Sequence, residues 1–316
     1  MEVANTGAPN SKVHQWGVIL AGGEGVRLKP LTRMISGDDR PKQFCPVLPG
    51  RSLLSHTRLR IAPYLAPERT QVILLKAHEA FYSSEFNHLD ARQMAIQPRN
   101  RGTLPAILLA LVRVLRSDAD AQVAFFPADH YYRDEGAFMS GVQSAFAASA
   151  LNPESVILLG ATPDHPETGY GWIEASGDAA AGLRKVRRFW EKPATHVARQ
   201  LLERGCAWNT FVMVGRAKAF WELIRWRAEE VMSWFEPLLR ASAGQENLMV
   251  EDIYDSISSS DFSSLVLSSA AERLRLLSLP DIGWSDLGEP QRVYAVLSSA
   301  PERRRVAIAA AAGMAS

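Results

Sequence analysis

Cysteine is scarce in this sequence of 316 residues. The two cysteines, Cys45 and Cys206, lie far apart and in no spacing typical of a metal site. This excludes a disulfide framework and a cysteine-based zinc site, and it suits a reducing compartment. We therefore expect a cytoplasmic protein.

Long apolar runs and an excess of charge of one sign are also absent. No segment approaches the roughly 18 consecutive apolar residues that a membrane span needs. Residues 1–15 are polar and lack the apolar core of a signal peptide, so they predict a disordered leader. The formal net charge is +1, and no basic stripe with interleaved aromatic residues occurs. The composition therefore predicts neither a nucleic-acid partner nor a membrane partner.

Apolar residues are instead arranged in short runs, as in a globular α/β protein. Runs closed by glycine or polar residues predict buried parallel strands. These runs are residues 17–21, 71–75, 122–126 and 155–159. Segments with helical spacing lie between them, at residues 52–64, 103–115 and 136–148. The alternation predicts an α/β fold with a Rossmann-like, mostly parallel sheet flanked by helices.

The pattern changes after about residue 163. Strands are predicted at residues 169–173, 183–190 and 274–279, and helices at residues 195–204 and 217–239. We leave open whether the Trp-rich and Leu-rich part of the second helix packs in the core or forms the face of a homodimer. No sharp linker interrupts the chain. We therefore predict one domain over residues 16–300 with a small β extension, followed by a tail at residues 301–316.

A glycine-rich segment follows the first predicted strand. Gly22, Gly23 and Gly25 allow backbone N–H groups to approach a polyphosphate closely, although a plain glycine turn has the same composition. A P-loop would end in Gly-Lys-Ser or Gly-Lys-Thr, which this segment does not. A dinucleotide-binding loop needs a third glycine of its fingerprint and a helix that runs onward, where Pro30 stands. These two phosphate-binding loops are therefore excluded.

Two cations follow the glycines. Arg27 lies just beyond the loop, where a guanidinium can hold phosphate oxygens in a fork, and Lys42 lies in the segment RPKQF. Glycines, an arginine and then a lysine in this order resemble the signature of the sugar-nucleotide pyrophosphorylases. The form PKQF is most similar to the bacterial mannose-1-phosphate guanylyltransferases, in the version without an isomerase domain.

The resemblance continues in ordered blocks over about residues 16–297. It implies that residues 16–162 hold the nucleotide and that residues 163–300 hold the sugar. The nucleotide-binding residues that it implies are Ala21, Gly22, Gly23, Gly25, Gln97, Gly102 and Thr103. Thr103 also stands where a helix would begin, so its type alone leaves a capping role open.

The blocks FFPADH and GWSDLGEP supply two aspartates. Asp129 directly follows a predicted strand, and ligands of open α/β sheets bind outside the carboxyl ends of the strands. The resemblance implies that Asp129 and Asp286 bind Mg²⁺ and that Arg27 and Lys42 are catalytic. We expect His130, beside Asp129, to be structural.

The blocks GYGWIE, FWEKP and WNTFVMV contain the residues expected to bind the sugar. The resemblance implies that Gly171, Glu191, Lys192 and Asn209 bind the sugar phosphate. This chain departs from the family pattern at Phe211, where the family usually carries glycine, at Gln97, where Glu is frequent, and at Ser268, where Glu often stands. These departures bear on the choice of sugar and base rather than on the reaction.

The resemblance implies an enzyme that makes GDP-mannose and pyrophosphate from GTP and mannose 1-phosphate, with Mg²⁺ as its cofactor. Its partners are then a nucleoside triphosphate and a sugar 1-phosphate. Two alternatives remain at this stage. The product could be another nucleotide sugar, such as UDP-glucose or dTDP-glucose, or the chain could bind a nucleotide sugar without catalysis.

Overall fold

The computed structural model of the chain describes residues 11–180 and 182–299. Its strands are β1 Gln15–Leu20, β2 Thr70–Leu75, β3 Met94–Gln97, β4 Gln122–Pro127, β5 Val156–Ala161, β6 Trp172–Ala180, β7 Leu183–Trp190, β8 Ala207–Arg216 and β9 Leu274–Ser278. Its α-helices are α1 Lys29–Ser36, α2 Leu53–Ile61, α3 Glu79–Phe86, α4 Thr103–Ser117, α5 Glu135–Leu151, α6 Thr195–Glu203, α7 Ala217–Arg227, α8 Glu229–Phe235, α9 Ala243–Ser256, α10 Phe262–Leu265 and α11 Pro290–Ser298.

The strands form one sheet in the order β3-β2-β1-β4-β8-β5-β9-β7-β6. Strands β3, β2, β1 and β4 are parallel to one another, and β5 is parallel to β9. Strand β8 is antiparallel to β4 and β5, and β7 is antiparallel to β9 and β6. The predicted α/β fold is confirmed, with parallel pairing in its first half and mixed pairing in its second.

Helices cover both faces of the sheet because alternate strand residues point to opposite sides. Val18 and Phe125 pack in a hydrophobic cluster with α4. Their neighbours Ile19 and Phe126 pack in a second cluster with α5. β1 and β4 are therefore apolar after their first residue, a glutamine in each strand, as expected for strands buried on two faces.

Most of the predicted elements are confirmed, including β1, β2, β4, β5, α2, α4, α5, β7, α6 and β9. Ser52 caps α2 by accepting a hydrogen bond from the Ser55 amide at 3.1 Å. The strand predicted at residues 169–173 begins later, at Trp172. Most of the predicted leader lies outside the described residues. In its described part, Ser11–His14 form a 3-10 turn before β1. The predicted tail at residues 301–316 lies entirely outside the described residues.

Two predictions about helices were wrong. The single helix predicted over residues 217–239 is divided at Ala228, whose φ of −145° and ψ of 45° are not helical. Within it Trp221 is buried, whereas Trp226 and Trp234 are exposed; the homodimer stays a prediction. Pro30 does not prevent a helix after the glycine-rich segment, because it lies in the first turn of α1, where a missing N–H costs nothing. Across the described ranges, no helix is long and apolar enough to cross a membrane.

Candidate active site

The carboxyl ends of the parallel strands bring several predicted site residues to one edge of the sheet. Leu20 pairs in register with Pro127, so the segments that follow β1 and β4 lie side by side. The Ala128 amide donates to the Leu20 carbonyl at 3.1 Å, which fixes the two segments together. The glycine-rich segment and Asp129 are therefore neighbours.

The glycine-rich segment needs glycine at two positions. Gly25 has a left-handed backbone with φ of 59°. A Cβ atom on Gly22 would lie 2.5 Å from Nε2 of Gln97, which is itself buried at the end of β3. Within residues 11–180 and 182–299, no protein group accepts a hydrogen bond from the amides between Gly22 and Gly25. These N–H groups are available to an anion.

Lys42 lies at the centre of the site. Its Nζ donates to the carbonyl oxygens of Asp286 at 2.7 Å and Leu287 at 3.2 Å, and it lies 3.3 Å from Oδ2 of Asp129. The side chain is 13% exposed. An antiparallel bridge between Tyr131 and Ser285 joins the same two segments. The predicted catalytic lysine thus contacts the segments that carry both predicted metal ligands.

One oxygen of the Asp286 carboxylate accepts three hydrogen bonds, which fix the carboxylate in place. Its Oδ1 accepts hydrogen bonds from Arg292 at 2.7 Å, from the Gly288 amide at 2.8 Å and from the Tyr170 hydroxyl at 3.1 Å. Burial alone would raise the pKa of Asp286, but the cations Lys42 and Arg292 outweigh it, and the pKa is lowered. The carboxylate is therefore ionised at neutral pH.

Arg292 belongs to the site, although the sequence did not predict it. From α11 it bonds Asp286, forms an ion pair with Glu167 at 2.8 Å and lies 4.4 Å from the ring centroid of Tyr170. A single arginine on a short amphipathic helix is typical of the solvent-exposed face, so the sequence pattern around Arg292 did not indicate a site residue. Its contacts bring the loop before β6 against α11.

The donor set around Lys42 fits Mg²⁺. No group of three or more His, Cys, Asp or Glu residues that could hold a metal occurs in the described part of the chain. Mg²⁺ takes one or two carboxylates and completes its octahedron with waters and substrate phosphates, so Asp129 and Asp286 suffice. His130 is nearly buried, which lowers its pKa to about 4. It is neutral and accepts a hydrogen bond from Trp284 at 3.2 Å, in agreement with a structural role.

The predicted sugar-side residues form a second cluster. A Cβ atom on Gly171 would lie 3.3 Å from Oε2 of Glu191 and 3.4 Å from Cβ of Asn209. The Asn209 amide donates to the Gly171 carbonyl at 2.8 Å. Lys192 donates to Oε1 of Glu191 at 2.7 Å and is 60% exposed. Gly171 directly follows Tyr170, so this cluster adjoins the Asp286 network.

Phe211 has a backbone conformation that favours glycine, the residue expected at this position from the family resemblance. Its φ of 59° is in the left-handed region, which is rare for a bulky residue. It lies in a bulge of β8, where the register shifts between Leu158 and Gly160. Its amide donates to Oδ1 of Asn209 at 3.2 Å. The left-handed backbone at Phe211 directs its amide to Asn209 and fixes the orientation of the Asn209 side chain.

The remaining predicted residues contact partners other than Lys42. Arg27 is 60% exposed, and its Nη1 lies 3.3 Å from Oε1 of Glu289. The Thr103 hydroxyl donates to Asp261 at 2.9 Å and accepts from the Phe262 amide at 2.8 Å. A Cβ atom on Gly102 would overlap the Ser260 carbonyl. Thr103 therefore anchors the start of α4, and its hydroxyl is already in use.

The comparisons with known proteins identify the family of this chain. The family model described as Nucleotidyl transferase matches residues 16–302. The xanthan biosynthesis protein XanB of Xanthomonas campestris pv. campestris (strain B100) is 36% identical over 211 residues, which are 66% of this chain and 43% of XanB. A mannose-1-phosphate guanylyltransferase of Klebsiella pneumoniae is 28% identical over 287 residues, which are 88% of this chain and 59% of that protein.

One solved structure extends the likeness to the fold. A Thermus thermophilus protein described as a mannose-1-phosphate geranyltransferase shares 28% identity and a TM-score of 0.77, over 91% of this chain and 80% of that chain. The chain spans 43% and 59% of the length of the two curated relatives. Since the family model covers nearly all of the described residues, the chain belongs to the nucleotidyl transferase family.

Proposed function

We propose that the protein makes GDP-mannose and pyrophosphate from GTP and mannose 1-phosphate. One observation carries the proposal: Lys42 joins the segments of Asp129 and Asp286 between the glycine-rich segment and the Gly171 cluster. This arrangement suits a triphosphate on one side and a sugar phosphate on the other. The name of the Klebsiella relative supports mannose 1-phosphate as the sugar substrate.

The chemistry requires charge neutralisation more than proton transfer. The attacking phosphate oxygen is already ionised at neutral pH, so no general base is needed, and the main obstacle is repulsion between two anions. Fixed charges that need no reorganisation lower such a barrier most. Lys42 meets this condition because three oxygen atoms already hold its ammonium group in place.

Asp129 and Asp286 would hold the metal ion in this proposal. Mg²⁺ would supply positive charge to the phosphate oxygens. Asp286 has Oδ1 engaged by Arg292, Tyr170 and Gly288, which leaves Oδ2 for an ion. The hydrogen bonds on one oxygen orient the other, as partners of metal ligands generally do.

Arg27 and the glycine-rich segment hold the departing pyrophosphate. The Arg27–Glu289 pair is exposed, and such pairs contribute little free energy, so a phosphate readily displaces Glu289. The free amides of the loop add hydrogen bonds to the same phosphates. We assign Ala21, Gln97, Gly102 and Thr103 to the nucleotide side, as the family resemblance implies.

The Gly171 cluster binds the sugar. Asn209 offers Nδ2 as a donor to the sugar, while its Oδ1 accepts from the Phe211 amide. The Glu191 carboxylate accepts hydrogen bonds from hydroxyl groups, and exposed Lys192 neutralises the sugar phosphate. A donor beside an acceptor suits neighbouring hydroxyl groups, each of which both donates and accepts.

The test is pyrophosphate release with Mg²⁺ across GTP, ATP, UTP and dTTP, each paired with mannose 1-phosphate and glucose 1-phosphate. We expect selective release with GTP and mannose 1-phosphate. Release with UTP or dTTP and glucose 1-phosphate would keep the reaction and replace the substrates. Tight binding of a nucleotide sugar without release from any pair would replace the enzyme with a binding protein.

A further inference from the structure

Gln43 lies beneath the glycine-rich segment and has no part in the roles assigned so far. Its side chain is 1% exposed. It belongs to the 3-10 turn Lys42–Phe44, so it is adjacent to the lysine at the centre of the site. Lys42 and Gln43 of the segment RPKQF are thus adjacent polar side chains, and only Lys42 has a role so far.

Both donors of the Gln43 amide are used by the glycine-rich segment. Nε2 donates to the Ala21 carbonyl at 3.0 Å and to the Gly23 carbonyl at 2.6 Å. A primary amide carries two N–H donors, so these bonds exhaust them. The two carbonyl groups flank Gly22, and both are turned towards the protein interior.

The two carbonyl contacts determine where the next amides point. In a trans peptide unit the C=O and N–H bonds point in opposite directions. Holding the Ala21 carbonyl inward therefore turns the Gly22 N–H outward, and holding the Gly23 carbonyl inward does the same for the Glu24 N–H. In the described residues these two amides have no protein acceptor, which leaves them for a ligand.

Packing alone does not account for a glutamine here. Oε1 of Gln43 is buried and has no hydrogen-bond partner among the described residues. An unpaired buried acceptor costs free energy, which an apolar side chain of similar length would avoid. A glutamine at this position is explained by the donors that it supplies to the loop.

We propose that Gln43 is a positioning residue that turns the Gly22 and Glu24 amides towards the phosphates of the nucleotide. It acts through the loop and does not touch the substrate. The proposal rests on the proposed function, since it assigns those amides to the triphosphate and to the pyrophosphate that leaves.

The test compares Gln43→Met and Gln43→Glu with the control Gln122→Met. Gln122 is also buried, and its Nε2 donates to the Ser149 hydroxyl at 2.9 Å and the Phe146 carbonyl at 3.3 Å. It is the first residue of β4 and therefore lies at the end of the strand opposite to the site. We expect both Gln43 variants to raise the KM for the nucleoside triphosphate by about tenfold. A change of this size corresponds to the loss of one or two net hydrogen bonds. The KM for the sugar phosphate and the rate with the control should stay near the wild-type values.

Equilibrium binding of inorganic pyrophosphate with Mg²⁺ provides a second measurement. Binding should weaken in both Gln43 variants and not in Gln122→Met. Equal KM increases for both substrates, or unchanged pyrophosphate binding, would overturn the role of Gln43. Misfolding of both Gln43 variants beside a folded Gln122→Met would also overturn it, because the bonds would then hold the fold rather than orient the loop.

The two proposals fail separately. If the wild type releases no pyrophosphate from any substrate pair, the proposed function is wrong. Pyrophosphate binding by wild type and variants still decides whether Gln43 orients an anion-binding loop.

Discussion

The buried centre of the site and its exposed rim use cations in different ways. At the centre, Lys42 is 13% exposed and has three oxygen atoms around its ammonium group. At the rim, Arg27 and Lys192 are each 60% exposed, and each has one carboxylate partner close by. The first cation is fixed before a substrate arrives, whereas the other two are free to reorient.

This difference teaches how the same charge serves stability and activity. A fixed cation is preorganised for the transition state, and the fold depends on it because its removal leaves buried oxygens unpaired. An exposed cation adds little to stability, since surface ion pairs are worth about 0–1 kcal/mol. We therefore expect the centre to couple folding to activity and the rim to separate them.

The largest effect is expected from Lys42→Ala. The turnover rate should fall on the order of 10²–10³, as for the removal of an oxyanion donor. Stability should fall by about 1–3 kcal/mol, because the Asp286 and Leu287 carbonyls lose their donor. Lys76→Ala, at an exposed lysine after β2, is the control. Near-normal turnover, or a normal melting temperature beside lost activity, would break the comparison.

The metal ligands come next. Asp129→Asn combined with Asp286→Asn should raise the Mg²⁺ concentration for half-maximal rate by at least about a hundredfold, since even the partners of metal ligands have effects of that size. A magnesium titration of the initial rate measures it. The control combines Asp120→Asn and Asp281→Asn, two exposed carboxylates. An unchanged titration would remove Asp129 and Asp286 as ligands.

Arg27→Ala sharpens the contrast at the rim. We expect the turnover rate to fall by about 10², because a charge on the leaving pyrophosphate loses its partner. The melting temperature should not change, since the Arg27–Glu289 pair is exposed. Arg33→Ala, at an equally exposed arginine of α1, should change neither quantity. A destabilised Arg27 variant would show that the rim also supports the fold.

The smallest effect is expected from Lys192→Ala. The KM for the sugar phosphate should rise by about tenfold, the contribution of one charge-assisted hydrogen bond. Steady-state kinetics at saturating triphosphate measure it, with Lys218→Ala as the exposed control. A higher KM for the triphosphate with no change for the sugar phosphate would move Lys192 to the other side of the site.

The sequence predicted the parts of the site that local order determines. The glycines after β1, the cations Arg27 and Lys42, and the aspartates after β4 and before α11 each carry a local pattern. Glu167 and Arg292 do not, since they are far apart in the sequence and meet through folding alone. Gln43 was also missed, because its partners are backbone carbonyls that leave no trace in composition.

The errors in the fold have similar causes. The apolar spacing of residues 217–239 continues through Ala228, so periodicity alone could not find the break between α7 and α8. Pro30 was taken to prevent a helix, although its position in the first turn is one that proline favours. In both cases the local residue types were compatible with more than one backbone path.

The most direct test of the account measures pyrophosphate release by wild type and Lys42→Ala side by side, with saturating GTP, mannose 1-phosphate and Mg²⁺, together with the melting temperature of each. The account predicts release by the wild type, a turnover lower on the order of 10²–10³ in the variant and a lower melting temperature. Release at equal rates by both proteins would contradict it, as would a folded wild type that releases no pyrophosphate.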